Sequence, residues 1–132
     1  MRIRRLGAGD EGVVRELAEG QPQTGLLEDE RTFFLVAFED ELPIGFVLAH
    51  ELPRRHRAAS HLFVYEIDVR EDRRRRGVAT ALMAELSRLA RERGIEDGFV
   101  LTNASNAPAM AFYASLDSER PHEDDVMWDL RF

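Results

Sequence analysis

Long apolar runs separated by short polar breaks occupy the middle of the chain. The runs 32–39 (TFFLVAFE) and 42–52 (LPIGFVLAHEL) are rich in β-branched and aromatic residues, and only the polar turn 40–41 separates them. This arrangement predicts a β-hairpin. After a basic loop, the apolar run 61–69 (HLFVYEIDV) predicts a further strand. We therefore expect three adjacent antiparallel strands.

The next stretch has the period of an amphipathic helix. Its apolar positions are Val78, Leu82, Leu86 and Leu89. Gly94 is a natural C-terminal cap, so we expect the helix over residues 77–93. The run 95–101 (IEDGFVL) then predicts a strand. A crossover of this length returns the chain to the same end of the sheet, which predicts parallel pairing between strands 61–69 and 95–101.

Both ends of the chain also carry regular patterns. A short strand is expected at residues 1–6, and Asp10 is expected to cap a helix. Pro108 is favoured in a first helical turn and predicts a helix that runs through Leu116. The last residues alternate between apolar and polar, which predicts a strand with one buried face. Its apolar positions are Val126, Trp128, Leu130 and Phe132. We expect residues 1–132 to form one domain.

Composition narrows the classes of function. The 132 residues are 44% hydrophobic, which suits a single core. No apolar run is long enough for a membrane helix, and the N-terminus lacks the apolar centre of a signal peptide, so we expect a cytoplasmic protein without a membrane partner. The chain has no cysteine, and its four histidines lack the spacing of metal ligands, so we expect no metal.

Charge narrows the possible classes of function further. All 18 basic residues are arginine, which excludes Schiff-base chemistry on a lysine. The net charge of −7 argues against general nucleic-acid binding and suits a cationic partner.

A run of arginines stands between the strand 61–69 and the helix that follows. The sequence Arg74-Arg75-Arg76-Gly77-Val78-Ala79 places small residues where an anion could approach backbone N–H groups at a helix N-terminus. The helix dipole and the arginine side chains would add positive potential, as a pyrophosphate requires. The simpler interpretation is a solvated charged turn. The segment matches neither a P-loop nor a dinucleotide-binding motif.

Two carboxylates lie within the strand that precedes this turn. Glu66 and Asp68 occupy one face of an otherwise apolar segment, VYEIDV. A partly buried carboxylate beside another would hold its proton more tightly, as a general base near neutral pH requires. The alternative is that this face is open to water.

Two later groups are also candidates for chemistry. Tyr113 lies on the predicted helix after Pro108, where its phenol could protonate a departing thiolate or simply belong to the core. The acidic group Glu123, Asp124 and Asp125 precedes the last predicted strand. It is either a turn or a site for a cation.

The order of these motifs resembles the GNAT superfamily of acetyl-coenzyme A dependent N-acetyltransferases. The phosphate-loop pattern [QR]-x-x-G-x-[GA] is matched by Arg74, Gly77 and Ala79, and the later pattern N-x-x-A-x-x-x-Y by Asn106, Ala109 and Tyr113. The resemblance implies an α/β (α+β) GNAT fold with a mixed, mostly antiparallel, twisted sheet of six to seven strands flanked by about four helices.

Within that superfamily the chain is most similar to small bacterial aminoglycoside 3-N-acetyltransferases, the gentamicin-modifying enzymes. The similar segments are YEIDV, RRRRGVATAL, APAMAFYASL and HEDDVMWDL. One departure concerns the turn after the tyrosine helix, where the family has Leu-Gly-Phe and this chain has Leu116, Asp117 and Ser118. Because that turn leads into the hairpin that borders the acceptor site, the departure bears on the acceptor more than on the coenzyme.

The resemblance implies a role for each motif. Acetyl-CoA would be the co-substrate and a cationic amine its acceptor. Glu66 would be the base with Asp68 as its substitute, Tyr113 the acid, and a backbone N–H near Val69 the oxyanion donor. The coenzyme would contact Ile67, Val69, Arg74, Arg75, Arg76, Gly77, Val78, Ala79, Thr80, Asn106 and Tyr113. The amine would contact Glu66, Asp68, Glu123, Asp124 and Asp125.

Three other functions are open at this point. The acceptor could be a polyamine, a small metabolite or a peptide N-terminus. The chain could instead be a non-catalytic sensor of acyl-coenzyme A. A nucleic-acid reader built on the arginine run is disfavoured by the net charge of −7. Exposed sheet edges would suit a homodimer.

Overall fold

The computed structural model describes residues 1–132, which form two compact units, Met1–Leu101 and Thr102–Phe132. The first unit contains one five-stranded sheet in the order β1-β2-β3-β4-β5. Its strands are β1 (Arg2–Arg5), β2 (Thr32–Glu39), β3 (Leu42–Leu52), β4 (His61–Val69) and β5 (Gly98–Val100). β1 to β4 pair antiparallel, whereas β5 pairs parallel with β4. The predicted hairpin, the three antiparallel strands and the parallel crossover are therefore confirmed.

Two α-helices cover the two faces of this sheet. They are α1 (Glu11–Leu17) and α2 (Val78–Glu92), and short 3₁₀ turns lie at Thr24–Glu28 and Glu71–Arg73. α2 buries the apolar stripe that the sequence predicted, with Leu82 and Leu86 almost fully enclosed against β2, β3 and β4. α1 covers the opposite face through Val14, which packs with Val36 and Phe38. No helix is both long and apolar enough to cross a membrane.

A β-bulge divides β4 into two halves. Ala49 of β3 pairs with Val64, and the next residue, Leu48, pairs with Glu66, which leaves Tyr65 without a partner. The extra residue changes which positions face α2, because side chains alternate along a strand. Leu62 and Val64 contribute to the α2 core before the bulge. After it, the odd-numbered positions 67 and 69 take their place.

The pairing of β4 with β5 depends on Gly98. A Cβ atom at this position would lie 2.6 Å from the carbonyl oxygen of Leu62, closer than any side chain can approach. Glycine therefore allows the two backbones to meet at the start of β5. The register pairs Leu62 with Gly98 and ends where Val64 faces Val100. Beyond Val64, β4 has a neighbour only on its β3 side.

The second unit contains α3 (Ala107–Ala114) and no strand. Pro108 lies in its first turn, as predicted, and the side chain of Asn106 caps the helix by accepting a hydrogen bond from the Ala109 N–H (3.2 Å). The predicted last strand is wrong. Its apolar positions Val126, Trp128, Leu130 and Phe132 are all exposed. A segment with a period-2 pattern forms a strand only when another strand is available to pair with it, and this unit contains none.

The fold class is nevertheless the one expected. The chain has a mixed, mostly antiparallel sheet with helices on both faces, the α/β arrangement of the GNAT fold. The element counts are lower than expected. There are five strands rather than six to seven, and three α-helices rather than about four.

Candidate active site

The turn between β4 and α2 has the geometry of an anion site. Arg75 (φ 62°) and Gly77 (φ 78°) both adopt left-handed backbone conformations, and α2 begins at Val78. No side chain caps this helix, so its first N–H groups have no partner. Successive free N–H groups at the positive end of a helix of this length attract anions. The backbone of residues 76–79 therefore suits a phosphate.

Two of the four arginines of the turn, Arg73 and Arg74, form ion pairs within the chain, and the other two do not. Arg73 is held by Glu39 through two hydrogen bonds of 3.0 Å each and also pairs with Asp72. The Arg73 guanidinium lowers the pKa of the Glu39 carboxyl below its usual value. Arg75 and Arg76 are exposed and form no ion pair within the chain. These two side chains are the ones free to meet an external anion.

Arg74, predicted as a coenzyme contact, is engaged with the end of β4 instead. Its Nε donates to the carbonyl oxygen of Val69 (3.0 Å), and its terminal nitrogen lies 3.5 Å from Asp68 Oδ1. The same Oδ1 accepts a hydrogen bond from the Val69 N–H (2.9 Å). The backbone groups of Val69, including the predicted oxyanion donor, are thus satisfied by two neighbouring side chains in this structure.

The second half of β4 presents an open backbone edge. The Arg70 N–H donates to the Ile44 carbonyl (2.9 Å), so the ladder to β3 uses the even-numbered residues at this end of the strand. The backbone groups of Ile67 and Val69 accordingly point away from β3. Because β5 ends opposite Val64, no strand occupies that side. An extended ligand with amide groups could add there as a further strand.

The predicted carboxylates share one face of the sheet, as expected. Glu66 pairs with Leu48 and Asp68 with Phe46, and both partners belong to the apolar cluster beneath α1. The expectation of partial burial is wrong, because both carboxylates are exposed. The physical reason is that β4 is an edge strand beyond Val64, so side chains there have a neighbouring strand on one side only.

Thr80 is exposed in the first turn of α2, and the remaining predicted residues lie in the second unit. Tyr113 is half-buried in α3, and burial raises the pKa of its phenol above the usual value. Asn106 has a structural role as the cap of the same helix. Glu123, Asp124 and Asp125 are exposed and lie outside any helix or strand.

One residue that supports the site was missed. A Cβ atom at Gly45 of β3 would lie 3.1 Å from both the Asp68 carbonyl oxygen and Val78 Cγ1. Glycine therefore lets the end of β4 and the first residue of α2 pack closely over β3. A glycine inside a predicted strand is the signal that would have found it, because such a residue often marks a close approach of two backbones.

Residues 4–117 match the model of the Acetyltransferase (GNAT) family. The chain belongs to the acetyltransferase (GNAT) family. It is accordingly an acetyl-CoA-dependent N-acetyltransferase, and the anion-binding turn with the open edge of β4 fits the phosphates and amides of that co-substrate.

Several solved structures share the GNAT fold of this chain. An aminoglycoside acetyltransferase, HMB0005, from an uncultured soil metagenomic sample has a TM-score of 0.83 at 26% identity, over 99% of this chain and 97% of that one. The aminoglycoside N-acetyltransferase AAC(6')-Iy, solved in complex with CoA, has a TM-score of 0.79 at 22% identity, over 99% and 100%.

A ribosomal-protein-alanine N-acetyltransferase from Brucella melitensis biovar Abortus 2308 also shares the fold. Its TM-score is 0.76 at 23% identity, over 99% of this chain and 98% of that one. No protein with curated annotation matches this chain in sequence. These similarities establish the GNAT fold.

Proposed function

We propose that this GNAT enzyme transfers an acetyl group to a primary amine of an aminoglycoside, at its 3-amino group. The observation that carries the choice of a polycationic acceptor is the pair Glu66 and Asp68, two exposed carboxylates on one face of β4 before the anion-binding turn. The 3-amino position rests on the resemblance of segments such as YEIDV and HEDDVMWDL. They would offer charge complementarity to an acceptor with several ammonium groups. The net charge of −7 would draw such a polycation toward the protein.

The coenzyme would be held by backbone first and side chains second. The free N–H groups of residues 76–79 would bind its phosphates, with Arg75 and Arg76 adding charge. Its amide groups would pair with Ile67 and Val69 along the open edge of β4. For this pairing the side chains of Asp68 and Arg74 would have to release the Val69 backbone groups that they now bond. Bound acetyl-CoA supplies an activated thioester.

Proton transfer would fall to two residues. Glu66, directly or through a water molecule, would take a proton from the ammonium group so that the amine nitrogen can attack the thioester carbon. As the C–N bond forms and the C–S bond breaks, Tyr113 would give its proton to the departing sulfur, and the second proton that leaves the nitrogen would restore the phenol. The Tyr113 phenol carries its proton at neutral pH, and burial raises its pKa further above the usual value. Asp68 is the substitute base.

The remaining ammonium groups of the acceptor would meet the acidic cluster Glu123, Asp124 and Asp125. All three carboxylates are exposed and available to a charged ligand. Holding the amine and the thioester together would lower the activation barrier, by as much as about 7–11 kcal/mol in favourable cases.

A thiol-release assay with acetyl-CoA tests this function. The panel contains gentamicin and other aminoglycosides, linear polyamines and peptides with a free N-terminal alanine. We expect release of free CoA with aminoglycosides, and an acetyl group on the 3-amino nitrogen in the NMR spectrum of the product. Acetylation at the 6'-amino group would overturn the 3-amino position and keep the aminoglycoside as the acceptor. Turnover confined to polyamines or peptides would overturn the acceptor, and binding of acetyl-CoA without turnover of any amine would identify a sensor.

The acid role has its own test. Tyr113→Phe removes the proton donor and keeps the ring, so we expect a lower kcat with an unchanged fold by circular dichroism. Full turnover by this variant would overturn the assignment.

A further inference from the structure

Aromatic side chains that belong to neither apolar core form a row on the sheet. Phe63 of β4 stacks on Phe99 of β5, with ring centroids 4.9 Å apart and planes 7° from parallel. Tyr65 stands perpendicular to Phe63 at 5.8 Å and 88°. His50 of β3 makes a T-shaped contact with Tyr65, and His61 lies beside Phe99. The aromatic row (His50, His61, Phe63, Tyr65 and Phe99) therefore spans three strands.

The bulge places this row next to the predicted base. Phe63 pairs with His50, and both point to the sheet face opposite α2, because Leu62 and Val64 point into the α2 core. Tyr65 contacts Phe63 and His50, so it shares their face. Without the bulge, Glu66 would point to the other face. Its pairing with Leu48 instead places it on the same face, directly after Tyr65.

Solvent reaches the row although its rings are large. Tyr65 is 57% exposed and Phe99 41% exposed. Rings in this position contribute little to the core, and contiguous exposed apolar surface of this kind usually marks a binding site. Contacts between the rings fix their orientation before any ligand arrives.

We propose that the aromatic row is the acceptor-specificity surface of this enzyme and binds the apolar C–H face of a saturated ring that carries ammonium groups. The proposal rests on the proposed function, because the bound ring is that of the amine to be acetylated. The negative faces of the aromatic rings attract C–H bonds polarised by nearby ammonium groups, while Glu66 and Asp68 take the charges themselves.

A rigid ring suits this surface better than a flexible chain. A linear polyamine has the same charges but lacks a flat apolar face to lay on the row. It also loses more conformational freedom when it is bound. The row therefore selects between two acceptors that the carboxylates alone would treat alike.

The test compares Tyr65→Leu with Tyr65→Phe. Leucine keeps an apolar side chain and removes the aromatic face, whereas phenylalanine keeps the face and removes only the hydroxyl. We expect Tyr65→Leu to raise the KM for an aminoglycoside by about 2- to 10-fold, with kcat and the KM for acetyl-CoA little changed. Tyr65→Phe should retain the wild-type KM. Phe99→Leu is the second variant and should act in the same direction as Tyr65→Leu.

A binding measurement separates this proposal from the proposed function. Titration calorimetry of the full chain with an aminoglycoside, and with spermidine as the linear comparison, needs no turnover. Weaker aminoglycoside binding by Tyr65→Leu and Phe99→Leu, with unchanged spermidine binding, supports the proposal even if no acetylation occurs. Equal loss for both ligands, or wild-type aminoglycoside affinity in both folded variants, overturns it while leaving acetyl transfer intact.

Discussion

The two halves of β4 belong to one strand and have different surroundings. The first half, His61 to Val64, lies between β3 and β5 and sends Leu62 and Val64 into the α2 core. The second half, Glu66 to Val69, pairs only with β3 and exposes its two carboxylates. Tyr65, the bulged residue, separates them.

The difference shows how one strand can be both scaffold and binding edge. β5 is only three residues long, so the side of β4 that it covers is limited to residues 62–64. The backbone beyond this point keeps its hydrogen-bonding groups for ligands or for nearby side chains. Rigid pairing at one end fixes the position of the open end, as a binding site requires.

The open half should control activity without controlling stability. Glu66→Gln removes the proposed base while leaving an exposed side chain of the same shape. We expect kcat/KM to fall by about 10²- to 10⁴-fold, and the acidic limb of the pH–rate profile to change. The midpoint of urea unfolding should stay at the wild-type value.

Glu16→Gln is the matched control, because it neutralises another exposed carboxylate, in α1, that forms no ion pair. It should leave the rate unchanged. A Glu66→Gln enzyme with the wild-type rate and pH profile would contradict the base assignment.

The paired half should show the opposite behaviour. Gly98→Ala forces a Cβ atom to 2.6 Å from the Leu62 carbonyl oxygen, so the start of β5 must shift. We expect the free energy of unfolding to fall by about 1–3 kcal/mol, as measured by urea denaturation.

Gly12→Ala serves as the control for this substitution. Gly12 lies in α1 with no atom near its missing Cβ, so alanine should be neutral or slightly stabilising there. Equal stability of Gly98→Ala and the wild type would mean that β5 is not held by close backbone contact.

The arginine turn at the end of the open half should affect the coenzyme alone. Arg76→Gln removes a free guanidinium beside the phosphate-binding backbone. Hydrogen bonds to charged groups are worth about 1.5–3 kcal/mol, so we expect the KM for acetyl-CoA to rise about tenfold or more with little change in kcat. Arg55→Gln, in the exposed loop between β3 and β4, should have no such effect. An unchanged KM for Arg76→Gln would mean that the backbone N–H groups bind the phosphates without help from this guanidinium.

The smallest expected effect concerns pH and the pair Glu39–Arg73. Arg73 lowers the pKa of Glu39 in the folded protein, so the pair stabilises the fold above the ordinary carboxyl pKa of 4.5 and loses this effect as the pH falls through the lowered folded value. Glu39→Gln should therefore be less stable than the wild type at pH 7, and the difference should vanish on acidification below 4.5. Urea unfolding at several pH values measures it. A difference that persists at low pH would show that the pair does not act through charge.

Much of the architecture was predictable because local patterns specify it. The apolar period of α2, the hairpin turn at Asp40 and Glu41, and the crossover to β5 all follow from neighbouring residues. The predicted last strand failed because its pattern describes only one partner of a pair. The partial burial expected for Glu66 failed for a related reason, since burial depends on how far β5 extends beside β4.

The site was likewise predictable only in part. The residues of the anion turn and the two carboxylates were identified from their order along the chain. Which arginines are free was not, because that depends on Glu39, which is distant in sequence from Arg73. The aromatic row could not be predicted from the sequence either, since its position depends on the register of three strands and on the bulge at Tyr65.

Periodicity and residues close in the chain specify α2, the β2–β3 hairpin, the crossover to β5 and the chemistry available between β4 and α2. Contacts between distant parts of the chain set which half of β4 is open, which side chains bond the Val69 backbone, and which face Glu66 occupies after the bulge. Those outcomes depend on pairing between distant strands, and a one-residue change of register reverses the direction of every side chain that follows.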